Sequence, residues 1–316
     1  MNGVEEGTHT YSLFGRRCTS AVSLPELDPL ASTERPAFSV SLGPVSIPEH
    51  RGAVAAVEGD DVTMAVLTVG DTTWLRFARA AVFRADEDSG AIAITVDPGV
   101  DTEHHTIRHL LLDDVIPFLI AKTGTIVLHC ASVLVGDRAL LILGESGMGK
   151  STLSAWCSLA GMPLLSDDCT VVDATPSGMV AQPSYPSVRL WDATAIALLG
   201  STGDGLPFSE FSKKRRYRRD FTFGVKGAVV SHIVQIAWPR PEAPDSIEIE
   251  ELSGHESFAV AHAGQYLPEG ATRAQAVAGL LELSGQAQVG RLRVPTALDR
   301  LSELRDALVS WMGPGS

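Results

Sequence analysis

Residues 143–152, with the sequence LGESGMGKST, constrain the fold more than any other part of the chain. Three glycines and one lysine interrupt an otherwise apolar stretch. The residues before this loop, 138–143, have the composition of a buried strand. After the loop, the apolar residues have the spacing of one buried helical stripe, and they are Leu153, Trp156, Cys157 and Ala160. Because Gly161 is placed to end that helix, the sequence predicts a strand, a glycine-rich loop and a helix.

The loop matches the pattern G-x4-G-K-[ST] of phosphate-binding loops. Such a loop turns several amide N–H groups inward around an anion, which requires φ values that glycine adopts without steric cost. Lys150 and the start of the helix add positive charge for the β- and γ-phosphates, and Ser151 would coordinate Mg²⁺. The alternative is a glycine-rich turn that happens to contain a lysine. We expect ATP and Mg²⁺ as cofactors, and contacts with the nucleotide from Gly144, Glu145, Ser146, Gly147, Met148, Gly149, Lys150, Ser151 and Thr152.

Two adjacent carboxylates, Asp167 and Asp168, follow a predicted short strand at 162–165. Phosphoryl transfer needs a carboxylate to complete the metal shell, and a kinase also needs one to accept the proton of the attacking hydroxyl. Two neighbouring aspartates at a strand end can divide these tasks. The alternative is an exposed pair in a turn.

His129 lies in the predicted strand segment 125–135, fifteen residues before Gly144. That segment and 138–143 are separated only by Gly136 and Asp137, which predicts a tight hairpin. His129 could therefore lie near the phosphates. The alternative is a hydrogen-bonded histidine of the core.

Together these elements resemble the catalytic domain of HPr kinase/phosphorylase and its related serine kinases. The resemblance rests on His129-Cys130-Ala131, on the loop Gly144-Glu-Ser-Gly-Met-Gly-Lys-Ser151, on Leu165-Ser-Asp-Asp168 and on the intervals between them, and it covers residues 125–240. It implies an α/β fold: a P-loop kinase domain of the HPr kinase and phosphoenolpyruvate carboxykinase type, with a smaller β-rich N-terminal domain. We place these domains at 104–316 and 1–103.

The resemblance also implies roles for individual residues. Lys150 and the loop amides would hold the ATP phosphates, and Ser151 and Asp168 would bind magnesium. Asp167 would be the general base that deprotonates a serine hydroxyl, and His129 would assist near the transferred phosphate.

The sequence departs from the bifunctional members of this family in two respects. Thr152 stands where they often have an acidic residue, and their later GxGIxxV-like signature has no counterpart here. Phosphorylase activity and HPr as substrate are therefore not implied. Segments 11–15 and 24–27 look like those of HPr-kinase-related proteins encoded with peptide-modifying systems, including lasso peptide precursor kinases. We expect a serine of a small protein or ribosomally made peptide as the acceptor.

A basic run at 213–219 places six positive charges in seven positions. It could close over phosphates or an acidic peptide, or it could be a solvated surface loop. Arg189 is a further candidate contact for phosphate, and packing against Trp191 is the alternative. The candidate phosphate clamp comprises Arg189, Lys214, Arg215 and Arg216.

The remaining segments predict a mixed α/β chain. In the first 103 residues the predicted strands are 38–42, 62–69 and 91–96, whereas 72–83 has no clear period. A helix is predicted over 102–122, capped by Asp101 or Thr102 and kinked near Pro117. Further on, the predicted strands are 228–238 and 247–249, and the predicted helices are 272–283 and 297–311.

Composition narrows the possible partners and location. The formal net charge of −13 disfavours nucleic acid as a partner. The four cysteines lack metal-ligand spacing, and no apolar run is long enough to span a membrane. We therefore expect a cytoplasmic protein, with a homo-oligomer as one possible state. Two other functions stay open. One is the sensing of a nucleotide without phosphate transfer, and the other is the phosphorylation of free serine or another metabolite.

Overall fold

A computed structural model describes residues 8–28, 35–49, 55–58, 63–77, 80–99, 104–243, 245–266, 272–295 and 300–313. The chain forms two compact units, one of Met1–Val115 with Pro207–Lys213 and one of Ile116–Leu206 with Lys214–Ser316. The sequence predicted a boundary after residue 103. The structure instead groups 104–115 and 207–213 with the first unit.

The first unit contains an eight-stranded mixed sheet with the order β1-β2-β3-β8-β7-β6-β5-β4. The β2–β3 and β3–β8 pairs are parallel, and the other pairs are antiparallel. The bounds are β1 His9–Leu13, β2 Arg16–Ser20, β3 Phe38–Leu42, β4 Ala55–Glu58, β5 Thr63–Val69, β6 Thr72–Phe77, β7 Ala81–Asp88 and β8 Ala91–Pro98. The strands predicted near 38–42, 62–69 and 91–96 are confirmed, although residue 62 lies outside the described residues. The segment 72–83 contains strand β6 and the start of β7.

Local turns and aromatic packing explain part of this sheet. Phe14 and Gly15, both at positive φ, make the tight turn between β1 and β2. The Tyr11 hydroxyl accepts a hydrogen bond from the Leu24 amide at 3.1 Å. In the core, Phe77 and Phe83 meet edge to face with ring centroids 5.6 Å apart.

The predicted helix over 102–122 consists of three segments. They are α1 His104–His109, a π-helical segment Leu110–Val115 and α2 Ile116–Lys122. Pro117 has no amide hydrogen, so the carbonyl one turn earlier loses its usual donor, and the wider π-helical turn lies directly before it. The predicted caps Asp101 and Thr102 lie outside the described residues. Gly124, at positive φ, follows the helix end as predicted.

The second unit contains the remaining elements, except that the boundary falls inside β16. Its main sheet has the order β12-β10-β11-β18-β14-β13-β9, and β20 pairs with both β18 and β19. The strands are β9 Ile126–His129, β10 Ala131–Val135, β11 Arg138–Leu143, β12 Leu164–Ser166, β13 Cys169–Thr175, β14 Gly178–Ala181, β15 Val188–Leu190, β16 Leu206–Pro207, β17 Arg215–Tyr217, β18 Ala228–Ala237, β19 Glu248–Leu252 and β20 Gln288–Arg293. The helices are α3 Lys150–Leu159, α4 Asp192–Leu199, α5 His255–Ala263, α6 Thr272–Gln286 and α7 Leu301–Met312.

Buried apolar residues cover both faces of this sheet. On β11, Leu140 and Ile142 pack in a core that includes residues of α3 and α7, and Leu141 and Leu143 pack in a second core that includes residues of α5 and α6. A strand buried on both faces has apolar residues at every position, which is the pattern at 139–143. The protein is therefore a mixed α/β protein with several sheets.

The other predicted elements of this unit are confirmed with small shifts. The hairpin of β10 and β11 turns at 136–137, and the strand predicted at 228–238 is β18. The strand predicted at 247–249 begins one residue later and continues to 252. Helix α6 continues to residue 286, and α7 runs over 301–312, whereas 297–299 lie outside the described residues. Within the described ranges, no helix has the length and hydropathy needed to cross a membrane.

Candidate active site

The glycine-rich loop connects the end of β11 to the start of α3, as the sequence predicted. Gly147 and Gly149 have φ values of 80° and 95°. A Cβ atom added at either position would meet no heavy atom within 4 Å. Glycine is therefore required here by the left-handed backbone conformation and not by crowding.

Lys150 is the first residue of α3, and only 7% of its surface is exposed. Its Nζ donates hydrogen bonds to the carbonyl oxygens of Gly144, at 2.8 Å, and Glu145, at 3.2 Å. The ammonium group thus bridges from the helix back to the start of the loop. These two hydrogen bonds hold the positive charge of Lys150 beside the loop.

The sheet brings the aspartate pair close to the strand that carries His129. In the antiparallel pair of β10 and β12, Ser132 lies opposite Ser166. In the antiparallel pair of β9 and β13, His129 lies opposite Cys169. Residues 167 and 168 connect β12 to β13, so both registers place them next to the junction of β9 and β10.

Asp167 is 5% exposed and is surrounded by polar groups. Its Oδ2 accepts a hydrogen bond from the Arg189 backbone N–H at 2.8 Å, and the Ser154 hydroxyl donates to Oδ1 at 3.4 Å. Burial raises the pKa of Asp167; the charge and backbone hydrogen bond of Arg189 offset part of the rise, and the charge of Asp168 adds to it.

Asp168 is more accessible than Asp167, with 22% of its side chain exposed. The Arg189 Nη2 atom forms an ion pair with Asp168 Oδ1, and Arg189 Nε lies 3.9 Å from Asp167 Oδ2. His129 Nδ1 lies 3.8 Å from Asp168 Oδ1. One buried guanidinium therefore lies against both carboxylates, and the histidine lies against the outer one.

Ser151, which was predicted to share a metal with Asp168, lies on the face of α3 that also carries Ser154. The two serines are three residues apart on that helix and therefore on one face of it. That face lies against the buried carboxylate.

The four predicted clamp residues lie in three different environments. On the paired strands β15 and β17, Arg189 lies opposite Arg216, so their side chains leave the same face of the pair. Arg216 is 8% exposed, and its Nη2 lies 3.2 Å from the Tyr185 hydroxyl. Arg215 points to the other face and pairs with Asp192 at 3.0 Å.

Lys214 makes a different contact from those three arginines. Its Nζ lies 5.8 Å from the centroid of the Trp191 ring. The contact with Trp191 that was considered for Arg189 is thus made by Lys214. Arg189 instead contacts the aspartate pair.

Sequence reasoning missed two side chains near this site, Ser154 and Tyr185. Ser154 could have been found from its position one helical turn after Ser151. Tyr185 contacts Arg216, which lies 31 residues further along the chain, and no local sequence pattern indicates this contact.

Cys130 adjoins His129 and is fully buried, and burial raises the pKa of its thiol to about 12. A thiol that stays protonated at neutral pH is a poor nucleophile. The chemistry of the site therefore rests on oxygen and nitrogen groups.

The oxygen atoms of the site fit magnesium better than a transition metal. Within the described ranges, no group of three or more His, Cys, Asp or Glu residues could hold a metal ion. Magnesium is usually held by one or two carboxylates together with substrate phosphates and water. A serine hydroxyl and an aspartate are ligands of that kind.

Comparison with solved structures shows distant similarity. The chain is similar in structure to the Hpr(Ser) kinase/phosphatase from Coxiella burnetii, with a TM-score of 0.31 and 14% sequence identity. The alignment covers 59% of this chain and 99% of that protein. No protein-family model matches the sequence, and no curated protein is similar to it.

Proposed function

We propose that the protein is an ATP- and Mg²⁺-dependent kinase that phosphorylates a hydroxyl, with a serine of a small protein or ribosomally made peptide as the acceptor. The observation that carries this proposal is the 3.4 Å hydrogen bond between Ser154, on the helix that follows the glycine-rich loop, and the buried carboxylate of Asp167. Binding of a nucleotide with magnesium needs one carboxylate for the ion, whereas a kinase also needs one within reach of the transferred phosphate. This site has two adjacent aspartates, of which Asp167 is buried.

The phosphates of ATP bind the loop amides and Lys150 in this proposal. Lys150 gives up its contacts with two loop carbonyls and pairs with the β- and γ-phosphates, a charge-assisted interaction. The start of α3 adds the positive end of its dipole. The reaction therefore takes place at the end of the loop that faces Asp167.

Ser151 and Asp168 are the residues that would hold magnesium. The ion, when bound with the nucleotide, neutralises phosphate charge during transfer. Asp168 offers an accessible carboxylate, and Ser151 is the loop residue that provides the hydroxyl ligand in this class of site. Arg189 fixes the direction of Asp168 through their ion pair.

Asp167 acts as the general base. It takes the proton of the serine hydroxyl while the serine oxygen attacks the γ-phosphorus, and the bond between that phosphorus and the β–γ bridging oxygen breaks. ADP leaves, the acceptor becomes a phosphoserine, and the proton passes from Asp167 to solvent. A raised pKa suits this task, because a base is most effective when its pKa lies closer to the working pH.

His129 and the two arginines on one face have supporting roles. His129 orients Asp168 from the end of β9 and lies near the transferred phosphate. Arg216 provides positive charge on the same face as Arg189, where an acceptor phosphate would form. This assignment uses only part of the basic run, because Arg215 pairs with Asp192 on the other face.

Phosphate transfer can be measured with ATP radiolabelled on its γ-phosphate. The full chain is incubated with magnesium and candidate serine peptides or, in parallel, free serine. We expect label in a peptide, a loss of about 10²-fold or more in Lys150→Ala, and no loss in the control Lys226→Ala, which changes an exposed lysine. Transfer that survives in Lys150→Ala would contradict the proposal. Tight ATP binding without transfer to any acceptor would favour a nucleotide sensor.

A further inference from the structure

A cavity with a volume of about 160 Å³ opens beside the glycine-rich loop. Its lining comes from the loop, from the first turn of α3, from the end of β18 and from the start of α7. The lining residues that matter for its chemistry are Met148, Thr152, Ile236, Trp238, Arg300 and Leu301. The aspartate pair, His129 and Arg189 are not part of this lining.

The pairing of β11 with β18 explains why the cavity adjoins the loop. These strands are parallel, and Leu143 lies opposite Gln235. The residues that follow Gln235 therefore run beside the start of the loop. A Cβ atom added to Gly144 would lie 3.5 Å from the Ile236 side chain, which places the wall of the cavity in contact with the loop.

The cavity has the chemistry of a site for a flat apolar group. Its lining is mainly apolar, and Arg300 is already engaged, since its Nε donates to Glu303 Oε1 at 3.1 Å and its Nη1 to the Asp245 carbonyl. Free phosphate has little to bind there. Trp238 is 57% exposed, so it offers a large aromatic face beside apolar neighbours.

We infer that this cavity binds the base and ribose of the phosphate donor, with the base stacked on Trp238. The donor is then a nucleoside triphosphate and not inorganic pyrophosphate or polyphosphate. This inference rests on the proposed function, because it assigns the loop to the phosphates of the same ligand. Residues 147–149 contribute to both subsites: their backbone belongs to the phosphate-binding loop, and the same residues line the cavity.

The test compares two ligands that share the phosphates and differ in the nucleoside. Binding of ATP and of inorganic tripolyphosphate to the full chain is measured by titration calorimetry with magnesium. We expect wild type to bind ATP more tightly than tripolyphosphate. Trp238→Ala should weaken ATP about 10-fold and leave tripolyphosphate unchanged, since base–aromatic stacking contributes an effect of that order.

Three further variants test whether the loss of ATP affinity is due to the aromatic ring of Trp238. Trp238→Phe keeps an aromatic face and should keep most of the affinity for ATP. Trp238→Gln removes the ring and should repeat the loss seen with alanine. Trp191→Ala removes a similarly exposed tryptophan outside the cavity and should leave both affinities unchanged.

Two outcomes would overturn the inference while the proposed function stands. One is equal affinity of wild type for ATP and tripolyphosphate, and the other is an equal loss for both ligands, or no loss, in Trp238→Ala. The proposed function is tested separately by Lys150→Ala, which should weaken both ligands because it removes a phosphate contact. If Lys150→Ala bound both ligands as wild type does, or if wild type bound neither, the phosphate assignment itself would fail and the inference with it.

Discussion

The two regions that meet at the glycine-rich loop are built from different kinds of contact. The polar region contains Lys150, the aspartate pair and Arg189, held by hydrogen bonds and ion pairs. The apolar region is the cavity beside Trp238, where the lining offers surface area and little charge. A polar group acts through its exact charge and position, whereas an apolar wall acts through the area that it covers.

This difference separates rate from affinity. Lys150, Asp167 and Arg189 are almost fully buried, so their geometry is fixed before a ligand binds. Changing one atom there should slow phosphate transfer more than it weakens nucleotide binding. Changing the wall of the cavity should weaken binding and leave the chemical step nearly intact.

Among the substitutions that separate rate from affinity, Asp167→Asn should have the largest effect. The amide keeps the shape of the side chain but cannot accept the proton of the acceptor hydroxyl. We expect kcat for phosphate transfer to fall by about 10²-fold or more, with the affinity for ATP changed little. Transfer assays and titration calorimetry on the same preparation measure both quantities.

Two other substitutions of aspartate by asparagine serve as comparisons for Asp167→Asn. Asp168→Asn should raise the magnesium concentration needed for half-maximal transfer, whereas Asp137→Asn, in the exposed β10–β11 turn, should change nothing. If Asp167→Asn altered only the magnesium requirement and Asp168→Asn abolished transfer at saturating magnesium, the two roles would be exchanged.

The dependence of stability on pH tests whether burial dominates the environment of Asp167. Its folded-state pKa is raised above the ordinary value of 3.8, so the folded protein holds this proton more tightly than the unfolded chain. The contribution of Asp167 to the free energy of unfolding is therefore fully present below about 3.8 and is lost as the pH rises through the raised pKa. Relative to Asp167→Asn, wild type should become less stable over that interval.

Thermal unfolding of both proteins without divalent ions, from pH 4 to pH 8, measures this difference. The Tm of Asp167→Asn minus that of wild type should increase with pH. A difference that decreases with pH would mean that Arg189 and the serine hydroxyls outweigh burial. That result would exclude a raised pKa of Asp167, and with it one argument for Asp167 as the general base.

The polar region could be predicted from the sequence more fully than the cavity. Its motifs are short and contiguous, and the hairpin and the strand ends that carry them have clear patterns at 125–143 and 162–168. The order of strand, loop and helix followed from glycine spacing and from one apolar stripe. The contact of α3 with Asp167 could not be predicted, because it depends on which face of α3 lies against the connection from β12 to β13.

The cavity could not be predicted because no segment of the chain contains it. Its walls come from residues 147–149, 152–153, 236–238, 247, 294–295, 300–301 and 304. The parallel pairing of β11, β18 and β20 brings several of these segments together. Trp238 appears in the sequence as the end of a strand. Nothing local distinguishes it from the exposed Trp191.

Ser154→Ala should have the smallest effect on the rate of transfer. It tests how hydrogen bonds hold the polar region in place. This serine is fully buried; its hydroxyl lies 3.2 Å from the Ser151 carbonyl and 3.4 Å from Asp167 Oδ1. Ser154→Ala removes a donor to the carboxylate, which should raise the pKa of Asp167 further and move the acid limb of the rate profile to higher pH. We expect transfer at neutral pH to fall by less than about 10-fold, and stability by about 1 kcal/mol.

Ser158→Ala is the matched control for Ser154→Ala, because Ser158 is also buried on α3 but hydrogen-bonds the backbone of Thr222. It should lose a similar amount of stability without moving the rate profile. If both variants left the profile unchanged, Ser154 would contribute to packing alone. A shift confined to Ser154→Ala would identify a positioning residue, and would mean that the raised pKa of Asp167 is set by a few polar contacts from one helix face as well as by burial.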